Sequence, residues 1–287
     1  MAIFHYINKK EGEKKVETSL ISKNESNFAL LIFSCDKFSD LWEAHITLLN
    51  KYWPNRKCKT YIVTDKVSTL VFDGIEIIAC GDDSEMSDRV KYICNIIKEE
   101  YILLTLDDYF PYGNFEEEKF INLINFLKEN NGDYLRFFKE PKQETKIKIN
   151  KQIYKIDKFH RYSINLYPSL WKKSFLESTF TTSLNAWDYE VSLTKIALNL
   201  NITAYVYPSH KDVFPFMDVV RKGKILRKAW KKLKKLDIYH GNRPIRTRKE
   251  EFKLGVQVFF SKITPAFLAR FIKRILKKLF KSKFYSD

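Results

Sequence analysis

Two adjacent carboxylates, Asp107 and Asp108, directly follow the apolar run YILLTL at residues 101–106. An apolar run without alternation is typical of a strand buried on both faces, as in the parallel sheet of an α/β domain. Ligands of such sheets collect at the carboxyl ends of the strands. Neighbouring carboxylates repel each other, and a hard cation such as Mg²⁺ or Mn²⁺ that bridges to a phosphate relieves the repulsion. The pair therefore predicts either a metal site or an acidic strand end that faces water.

Strands and helices alternate around this run. We predict strands at 28–33, 60–63, 75–79, 101–106, 134–138 and 204–207, and helices at about 40–51, 88–100, 116–130, 171–179 and 187–200. In the last helix we expect Val191, Ile196 and Leu200 to face the core. This order predicts an α/β domain with a mostly parallel sheet flanked by helices. The chain lacks the glycine patterns of the usual dinucleotide-binding fold and of the P-loop.

The composition narrows the class of protein further. The 287 residues suffice for one large domain, or for a domain with an appendage. The four cysteines have no metal-ligand spacing and indicate reduced thiols, not a disulfide framework or a zinc site. We find no apolar run of the length that spans a membrane, and we interpret the polar residues 1–27 as a leader that is not a secretory signal.

The positive charge is concentrated at the end of the chain. Of the 51 Lys and Arg residues 22 lie in 221–287, together with four of the 35 acidic residues. Such a basic tail predicts contact with an anionic surface, either nucleic acid or membrane. We expect helices at about 224–236 and 264–283, and the apolar and cationic faces of the second favour a helix lying on anionic lipid. The residues assigned to this membrane contact are Phe267, Phe271, Lys273, Arg274, Lys277 and Lys278.

One other interpretation of the second tail helix remains. It can pack on the core as an ordinary amphipathic helix with solvated lysines. Nucleic acid is not expected as a partner, because the aromatic residues lie with the apolar stripe and form no exposed stacking platform.

Several short pieces of sequence occur in a characteristic order along residues 28–240. They are SCDKFSD at 34–40 with Trp42, YWP at 52–54, DR at 88–89, LDDYF at 106–110, RYS at 161–163, SLW at 169–171, WDYE at 187–190 and VVRKGK at 219–224. In this order they resemble bacterial GT-A-type glycosyltransferases of surface polysaccharide synthesis, such as that of capsule or lipopolysaccharide. The resemblance implies a GT-A-like catalytic domain over 28–220, followed by the basic helical tail.

The resemblance also implies a donor site at the carboxyl ends of the first strands. A nucleotide-diphosphate sugar would bind there with Mn²⁺ or Mg²⁺, which neutralises the leaving diphosphate. Asp108 is the expected metal ligand, and Asp107 a second ligand or a contact to the sugar or ribose. The adjacent D-D departs from the D-x-D of the family and leaves the number of direct ligands open. The other expected donor-binding residues are Ser34, Cys35, Asp36, Lys37, Asp65, Arg89 and Arg161; an ordinary surface charge is the alternative for Arg89.

The WDYE piece resembles the acceptor-side acidic motif of the same family. An inverting transferase needs a carboxylate that takes the proton of the attacking hydroxyl. Asp188 is the first choice for this base and Glu190 the second. Alternatively, both acids simply favour the positive end of a helix dipole. Trp187 would stack on an acceptor sugar or, equally, fill core.

Taken together, the sequence predicts a metal-assisted glycosyltransferase with a lipid-linked saccharide as acceptor. The tail would hold it in the cytoplasm, peripherally on the inner face of the cell membrane. One alternative is a nucleotidyltransferase of similar fold, which would carry a glycine-rich loop after the first strand, where residues 33–40 have no glycine. The other is a non-enzymatic basic module for nucleic acid or acidic polymer, which would not need the aspartate pair.

Overall fold

A computed structural model describes most of the chain between the leader and the end of the tail. The described residues are 28–138, 146–149, 152–156 and 162–263. The predicted leader 1–27 and the predicted helix 264–283 lie outside them. Within the described ranges, no helix is long and apolar enough to span a membrane.

Thirteen strands and seven α-helices make up the described fold. The strands are β1 (Phe28–Phe33), β2 (Thr60–Thr64), β3 (Glu76–Ala79), β4 (Tyr101–Leu106), β5 (Tyr109–Pro111), β6 (Tyr134–Arg136), β7 (Lys146–Lys148), β8 (Tyr154–Ile156), β9 (Ser169–Lys172), β10 (Ala204–Val206), β11 (Phe216–Asp218), β12 (Val220–Arg221) and β13 (Lys224–Ile225). The helices are α1 (Trp42–Tyr52), α2 (Met86–Ile96), α3 (Glu117–Glu129), α4 (Lys173–Ser178), α5 (Ala186–Asn199), α6 (Arg227–Leu236) and α7 (Arg248–Ile263). A 3-10 helix, Asp36–Leu41, leads into α1.

Nine strands form one central sheet in the order β3-β2-β1-β4-β9-β6-β10-β8-β7. All of its strands run in the same direction except β8 and β9. The predicted mostly parallel α/β architecture is therefore confirmed. β1 pairs with β2 on one side and with β4 on the other. Because the strand order reverses between β1 and β4, a crevice opens at the carboxyl ends of these two strands.

Helices cover both faces of this sheet. Along β1, Leu30 and Ile32 pack toward α1 and α3, whereas Leu31 and Phe33 pack toward α2, α4 and α5. Both sides of the strand are apolar because both faces are buried, which explains the continuous apolar runs in the sequence.

The first part of the basic region packs on the outer side of α1. Ile225 of β13 and Leu233 of α6 share an apolar cluster with Leu41, Leu48 and other residues near α1. The lysines of α6 flank its two fully buried positions, so this helix is amphipathic and its apolar side is already covered.

The prediction of a helix over 171–179 is wrong at its start. Trp171 belongs to β9, where it lies opposite Ile102 of β4 and Tyr134 of β6. The indole N–H donates to the Ser169 hydroxyl at 2.8 Å. Pairing on both sides satisfies the backbone of this segment, and this tertiary gain overrides its local helical pattern.

The predicted core face of α5 is also wrong. Val191 is 37% exposed and Leu200 is 48% exposed. The buried positions are instead Tyr189, Leu193, Thr194 and Ala197, three of which are spaced four residues apart. The Tyr189 hydroxyl forms a hydrogen bond with the buried Thr179 hydroxyl. This buried tyrosine therefore fixes how the helix is rotated about its axis.

Helix α7 was not predicted, although its start carries a readable signal. Thr247 and Glu250 form a reciprocal capping box: the Glu250 carboxylate accepts from the Thr247 backbone N–H at 2.8 Å, and the Thr247 hydroxyl accepts from the Glu250 N–H at 3.2 Å. The pattern T-x-x-E marks a helix N-terminus.

Replacement of His45 should reduce the loss of stability in mild acid. Burial lowers the pKa of this imidazole to about 4, with the Asp107 carbonyl at 3.2 Å acting in the opposite direction. The unfolded chain therefore binds this proton more readily, and stability falls as the pH drops below about 6.5. Between about pH 7 and about pH 5, urea unfolding of His45→Gln should lose about 2 kcal/mol less than the wild type.

The matched control for this prediction is His240→Gln, since His240 is exposed. It should follow the wild type across the same pH range. An equal acid-induced loss in His45→Gln and the wild type would contradict the prediction.

Candidate functional site

Ser34 and Asp107 meet at the carboxyl ends of β1 and β4. The Asp107 N–H donates to the Phe33 carbonyl at 3.0 Å, which continues the strand pairing to the site. The Ser34 hydroxyl donates to the Asp107 carboxylate and accepts from the Trp42 indole N–H at 2.7 Å. Two residues predicted from separate strands to bind donor are thus in direct contact.

The Asp107 carboxyl is buried and surrounded by the protein's own polar groups. Burial raises its pKa to about 7, and the nearby Asp40 acts in the same direction. The Ser34 hydrogen bond and the charges of Arg243 and Arg89 oppose this rise. The Asp107 carboxyl group is therefore held by the protein's own groups on the β1 side of the crevice.

Asp65, at the end of β2, fixes the loop that follows β1. Its carboxylate accepts from the backbone N–H groups of Asp36 at 2.6 Å and Lys66 at 3.0 Å, and lies 3.1 Å from the Thr64 hydroxyl. Burial acts to raise the pKa of Asp65, but these hydrogen bonds outweigh it and the pKa is lowered. Asp36 and Lys37 themselves are exposed, at the rim of the crevice.

Arg89 and Cys35 line the same side. Arg89 is only 8% exposed, which excludes the ordinary surface charge considered above. It donates to the Ser84 carbonyl, while its Nε atom is buried without a hydrogen-bond partner. Burial, and then the charge of Asp107, raise the pKa of the Cys35 thiol, so the thiol is uncharged.

Asp108 faces a different set of groups. Its Oδ1 atom is buried and has no hydrogen-bond partner. Burial, followed by the charges of Asp107 and Asp218, raises the pKa of Asp108 well above its usual range. Asp218 comes from β11, which pairs with β5 and lets the Val219 N–H donate to the Asp108 carbonyl at 2.8 Å.

Asp218 and Arg221 were missed by sequence reasoning. The Arg221 Nε atom lies 2.5 Å from one Asp218 carboxylate oxygen. The other oxygen, Oδ1, is buried without a partner. Both residues sit at or beside the VVRKGK piece, to which the resemblance gave no side-chain role.

The structure separates the two candidate bases. Glu190 is partly buried, its Oε1 atom accepts from the Leu166 N–H at 3.1 Å, and burial raises its pKa. Besides burial, the Glu190 charge acts to raise the pKa of Tyr167, and Arg221 acts to lower it. The Tyr167 ring centre lies 5.6 Å from that of Tyr109. Glu190 therefore belongs to the neighbourhood of the Asp218–Arg221 pair.

Asp188, in contrast, is exposed and takes part in a helix cap. Its carboxylate accepts from the Asn185 amide at 2.7 Å, and its backbone N–H donates to the same side chain at 3.1 Å. Trp187 is 69% exposed, which excludes the alternative that it fills core. The segment before α5 is tied to the start of α2 by Ser183, whose hydroxyl lies 2.5 Å from Asp88.

A clamp from the basic region holds the loop after β1. Arg243 bonds Asp40 through Nη2 at 2.6 Å and through Nε at 2.8 Å, and donates to the Lys37 carbonyl at 2.7 Å. Its guanidinium also lies 4.1 Å from the Phe38 ring centre, and the Tyr239 hydroxyl donates to Asp40 at 2.8 Å. About two hundred residues separate the partners, so local sequence carries no signal for this contact.

The remaining predicted site residues lie outside the described part of the chain. They are Arg161, Phe267, Phe271, Lys273, Arg274, Lys277 and Lys278. Their roles stay predictions.

The donor atoms of the site suit a hard cation that shares its ligands with a substrate. Over the described ranges, no group of three or more His, Cys, Asp or Glu side chains is placed to hold a metal ion. Mg²⁺ and its analogues are commonly held by one or two carboxylates plus phosphate oxygens and water. The unpartnered oxygen of Asp108 fits this mode, whereas a closed all-protein cage does not.

A cavity of about 400 Å³ lies away from these carboxylates. It opens between α3 and the segments near β8 and β10, and its lining includes Lys119, Phe126 and Tyr207. It shares no lining residue with the crevice at β1 and β4, so it does not define the candidate site.

Comparison with known proteins gives weak similarities. No family model and no curated protein matches the sequence. Among solved structures, TarS 1–349 of S. aureus superposes with a TM-score of 0.43 and 14% identity, over 64% of this chain and 61% of that chain. Its complex with UDP-GlcNAc gives a TM-score of 0.44 and 13% identity, over 69% and 60%.

A second kind of protein is similar to the same degree. CMP:2-keto-3-deoxy-manno-octonic acid synthetase, complexed with CTP, gives a TM-score of 0.40 and 11% identity, over 74% of this chain and 98% of that chain. The chain spans about three fifths of the TarS chain that it matches. At these scores and identities, the similarities support no conclusion about activity.

Removal of the clamp should destabilise the fold measurably. Arg243→Ala leaves Asp40 without its paired guanidinium, and we expect the free energy of unfolding to fall by about 1–2 kcal/mol. Urea unfolding gives this value. Hydrogen exchange should also show faster exchange for the amides of 36–41.

Arg248→Ala is the matched control, because Arg248 is exposed and forms no ion pair among the described residues. It should change stability by less than about 0.5 kcal/mol. If both variants lose the same stability, the clamp does not hold this loop.

Proposed function

We propose that this chain is a glycosyltransferase that uses a nucleotide-diphosphate sugar and a divalent cation. The observation that carries the proposal is the buried, unpartnered oxygen of Asp108 in the crevice between β1 and β4. Open α/β sheets bind their ligands at such a switch point. A buried carboxylate oxygen needs a compensating charge or hydrogen bond, and a cation with a bound diphosphate supplies one.

The loop after β1 is the proposed contact for the nucleoside. Asp65 and the Arg243 clamp hold this loop in place, with Asp36 and Lys37 exposed at its rim. Arg89 would contribute positive charge next to the diphosphate, because its buried guanidinium acts electrostatically on Asp107, on the same side of the crevice. When bound, Mn²⁺ or Mg²⁺ would neutralise the charge that develops on the leaving diphosphate.

Glu190 is the proposed general base. The acceptor hydroxyl oxygen forms a bond to the anomeric carbon, the bond from that carbon to the diphosphate oxygen breaks, and the diphosphate leaves with the electron pair. The hydroxyl proton passes to the Glu190 carboxylate. The raised pKa of Glu190 makes it a stronger base, and attack opposite the leaving group would invert the anomeric centre.

Asp188 is a weaker candidate for the same step. Its carboxylate is already hydrogen-bonded within the cap of α5 and is exposed to water. Trp187, on the same first turn, offers an exposed indole face on which an acceptor sugar would stack.

The acceptor is proposed to be a lipid-linked saccharide of a bacterial surface polysaccharide, such as capsule or lipopolysaccharide. Support comes from the basic region, in which α6 presents exposed Lys228, Lys231, Lys234 and Lys235. None of these lysines forms an ion pair with an acidic side chain of the described residues. Such a surface suits anionic lipid headgroups on the cytoplasmic side of the membrane.

Substitutions at the three acids should separate their roles. With Mn²⁺ and a panel of nucleotide sugars, release of nucleoside diphosphate should fall at least about 100-fold in Asp108→Asn and in Glu190→Gln. Asp188→Asn should keep turnover within a few-fold of the wild type. Because the proposed role of Glu190 is on the acceptor hydroxyl, Glu190→Gln should lower kcat while KM for the donor stays unchanged.

The opposite ranking would overturn the assignment of the base. A large loss in Asp188→Asn, with near wild-type turnover in Glu190→Gln, would identify Asp188 as the base instead. Full activity of Asp108→Asn in the presence of Mn²⁺ would reject the cation site.

A further inference from the structure

Two buried carboxylate oxygens in the described part of the chain have no hydrogen-bond partner. They are Oδ1 of Asp108 and Oδ1 of Asp218. Leaving a buried charged oxygen unpaired costs more than a typical hydrogen bond contributes, so such atoms generally meet a proton, a cation or a ligand. Asp218 belongs to β11, Asp108 directly precedes β5, and these two strands pair.

Asp107 does not share this situation, although it is adjacent in sequence. Its carboxylate accepts from the Ser34 hydroxyl, and the cationic groups that act on it are Arg243 and Arg89. The groups that act on Asp108 are instead Asp218 and Arg221, besides Asp107 itself. The two neighbouring aspartates are therefore surrounded by different groups.

The β5–β11 pairing brings Asp218 to Asp108. Asp218 lies opposite Tyr109, the residue after Asp108, and the Val219 N–H donates to the Asp108 carbonyl at 2.8 Å. One oxygen of Asp218 is held by Arg221 Nε at 2.5 Å, which leaves Oδ1 as the oxygen without a partner. Arg221 thus orients the Asp218 carboxylate through the oxygen that it occupies.

The protein's own cations do not fully compensate this pair of acids. Arg221 occupies only one oxygen of Asp218. Among the described residues, neither of the two unpartnered oxygens receives a donor. A site with this charge and these ligand atoms suits a hard divalent cation, which binds carboxylate oxygens and completes its shell with phosphate and water.

We propose that Asp218 is the second protein ligand of the cation, together with Asp108, and that Asp107 is not a ligand. This inference rests on the proposed function, because the remaining ligands would be diphosphate oxygens and water. The Nη atoms of Arg221 make no hydrogen bond in the described structure and its side chain is 40% exposed, so they are available to diphosphate oxygens. The adjacent D-D then supplies one metal ligand, and β11 supplies the other.

Binding of Mn²⁺ in the presence of UDP tests this assignment without any turnover. Free Mn²⁺ is measured by electron paramagnetic resonance for the full chain and for Asp108→Asn, Asp218→Asn and Asp107→Asn. We expect the first two variants to bind Mn²⁺ at least about tenfold more weakly and Asp107→Asn to stay within about twofold of the wild type. Asp212→Asn, at an exposed acid, is the matched control and should bind as the wild type does.

Three outcomes would overturn the inference. Wild-type affinity in Asp218→Asn shows that Asp218 is not a ligand, and a loss in Asp107→Asn equal to that in Asp108→Asn shows that the D-D pair binds the ion. In both cases Mn²⁺ and UDP still bind the wild type, so the proposed function survives. If neither Mn²⁺ nor UDP binds the wild type, the proposed function fails, and the inference with it.

Folding is checked first, by circular dichroism and urea unfolding of each variant. Should Asp218→Asn fail to fold, Asp218→Glu and Asp218→Ser carry the same comparison. The glutamate variant keeps a carboxylate and should retain most of the Mn²⁺ affinity, whereas the serine variant should lose it. Equal affinity of these two variants would also contradict a ligand role for Asp218.

Discussion

The burial of carboxylates at the carboxyl ends of β1 and β4 is the constraint on which the rest of the site depends. Asp107, Asp108 and Asp218 are all removed from water far enough for burial to raise their pKa. Each must therefore be compensated by its surroundings. Asp107 is compensated by Ser34 and nearby arginines, and Asp218 by Arg221 on one oxygen. The carboxylate oxygens without a hydrogen-bond partner, one on Asp108 and one on Asp218, are the atoms that the protein's own groups leave uncompensated.

The basic region takes part in this compensation, and its charge is not all directed at solvent. Arg243 binds Asp40 and holds the loop after β1, while Arg221 binds Asp218 beside β5. Arg221 precedes β13 and Arg243 follows α6, and both of these elements pack on α1. The positive charge of the basic region is thus divided between arginines that bind acidic side chains and lysines of α6 that are exposed to solvent.

The strands beside the site and the position of Asp107 were predictable, because strands buried on both faces leave continuous apolar runs that end at polar residues. β1 and β4 have the predicted bounds. Trp171 and the rotation of α5 were not predictable, since both depend on neighbours distant in sequence. The same holds for the pairing of Asp108 with Asp218, which the register of β5 and β11 creates. A short strand of three residues gives too little periodicity to reveal such a register.

A thermal-shift screen of the full chain against nucleotide-diphosphate sugars, with and without Mn²⁺, tests the central claim most directly. A ligand that binds the folded state raises the melting temperature. The crevice between β1 and β4 should bind the diphosphate through a cation, so at least one nucleotide sugar should raise Tm, and should do so only when Mn²⁺ is present. A screen in which no nucleotide sugar raises Tm under either condition, or in which the nucleosides without diphosphate raise it equally, would contradict the account.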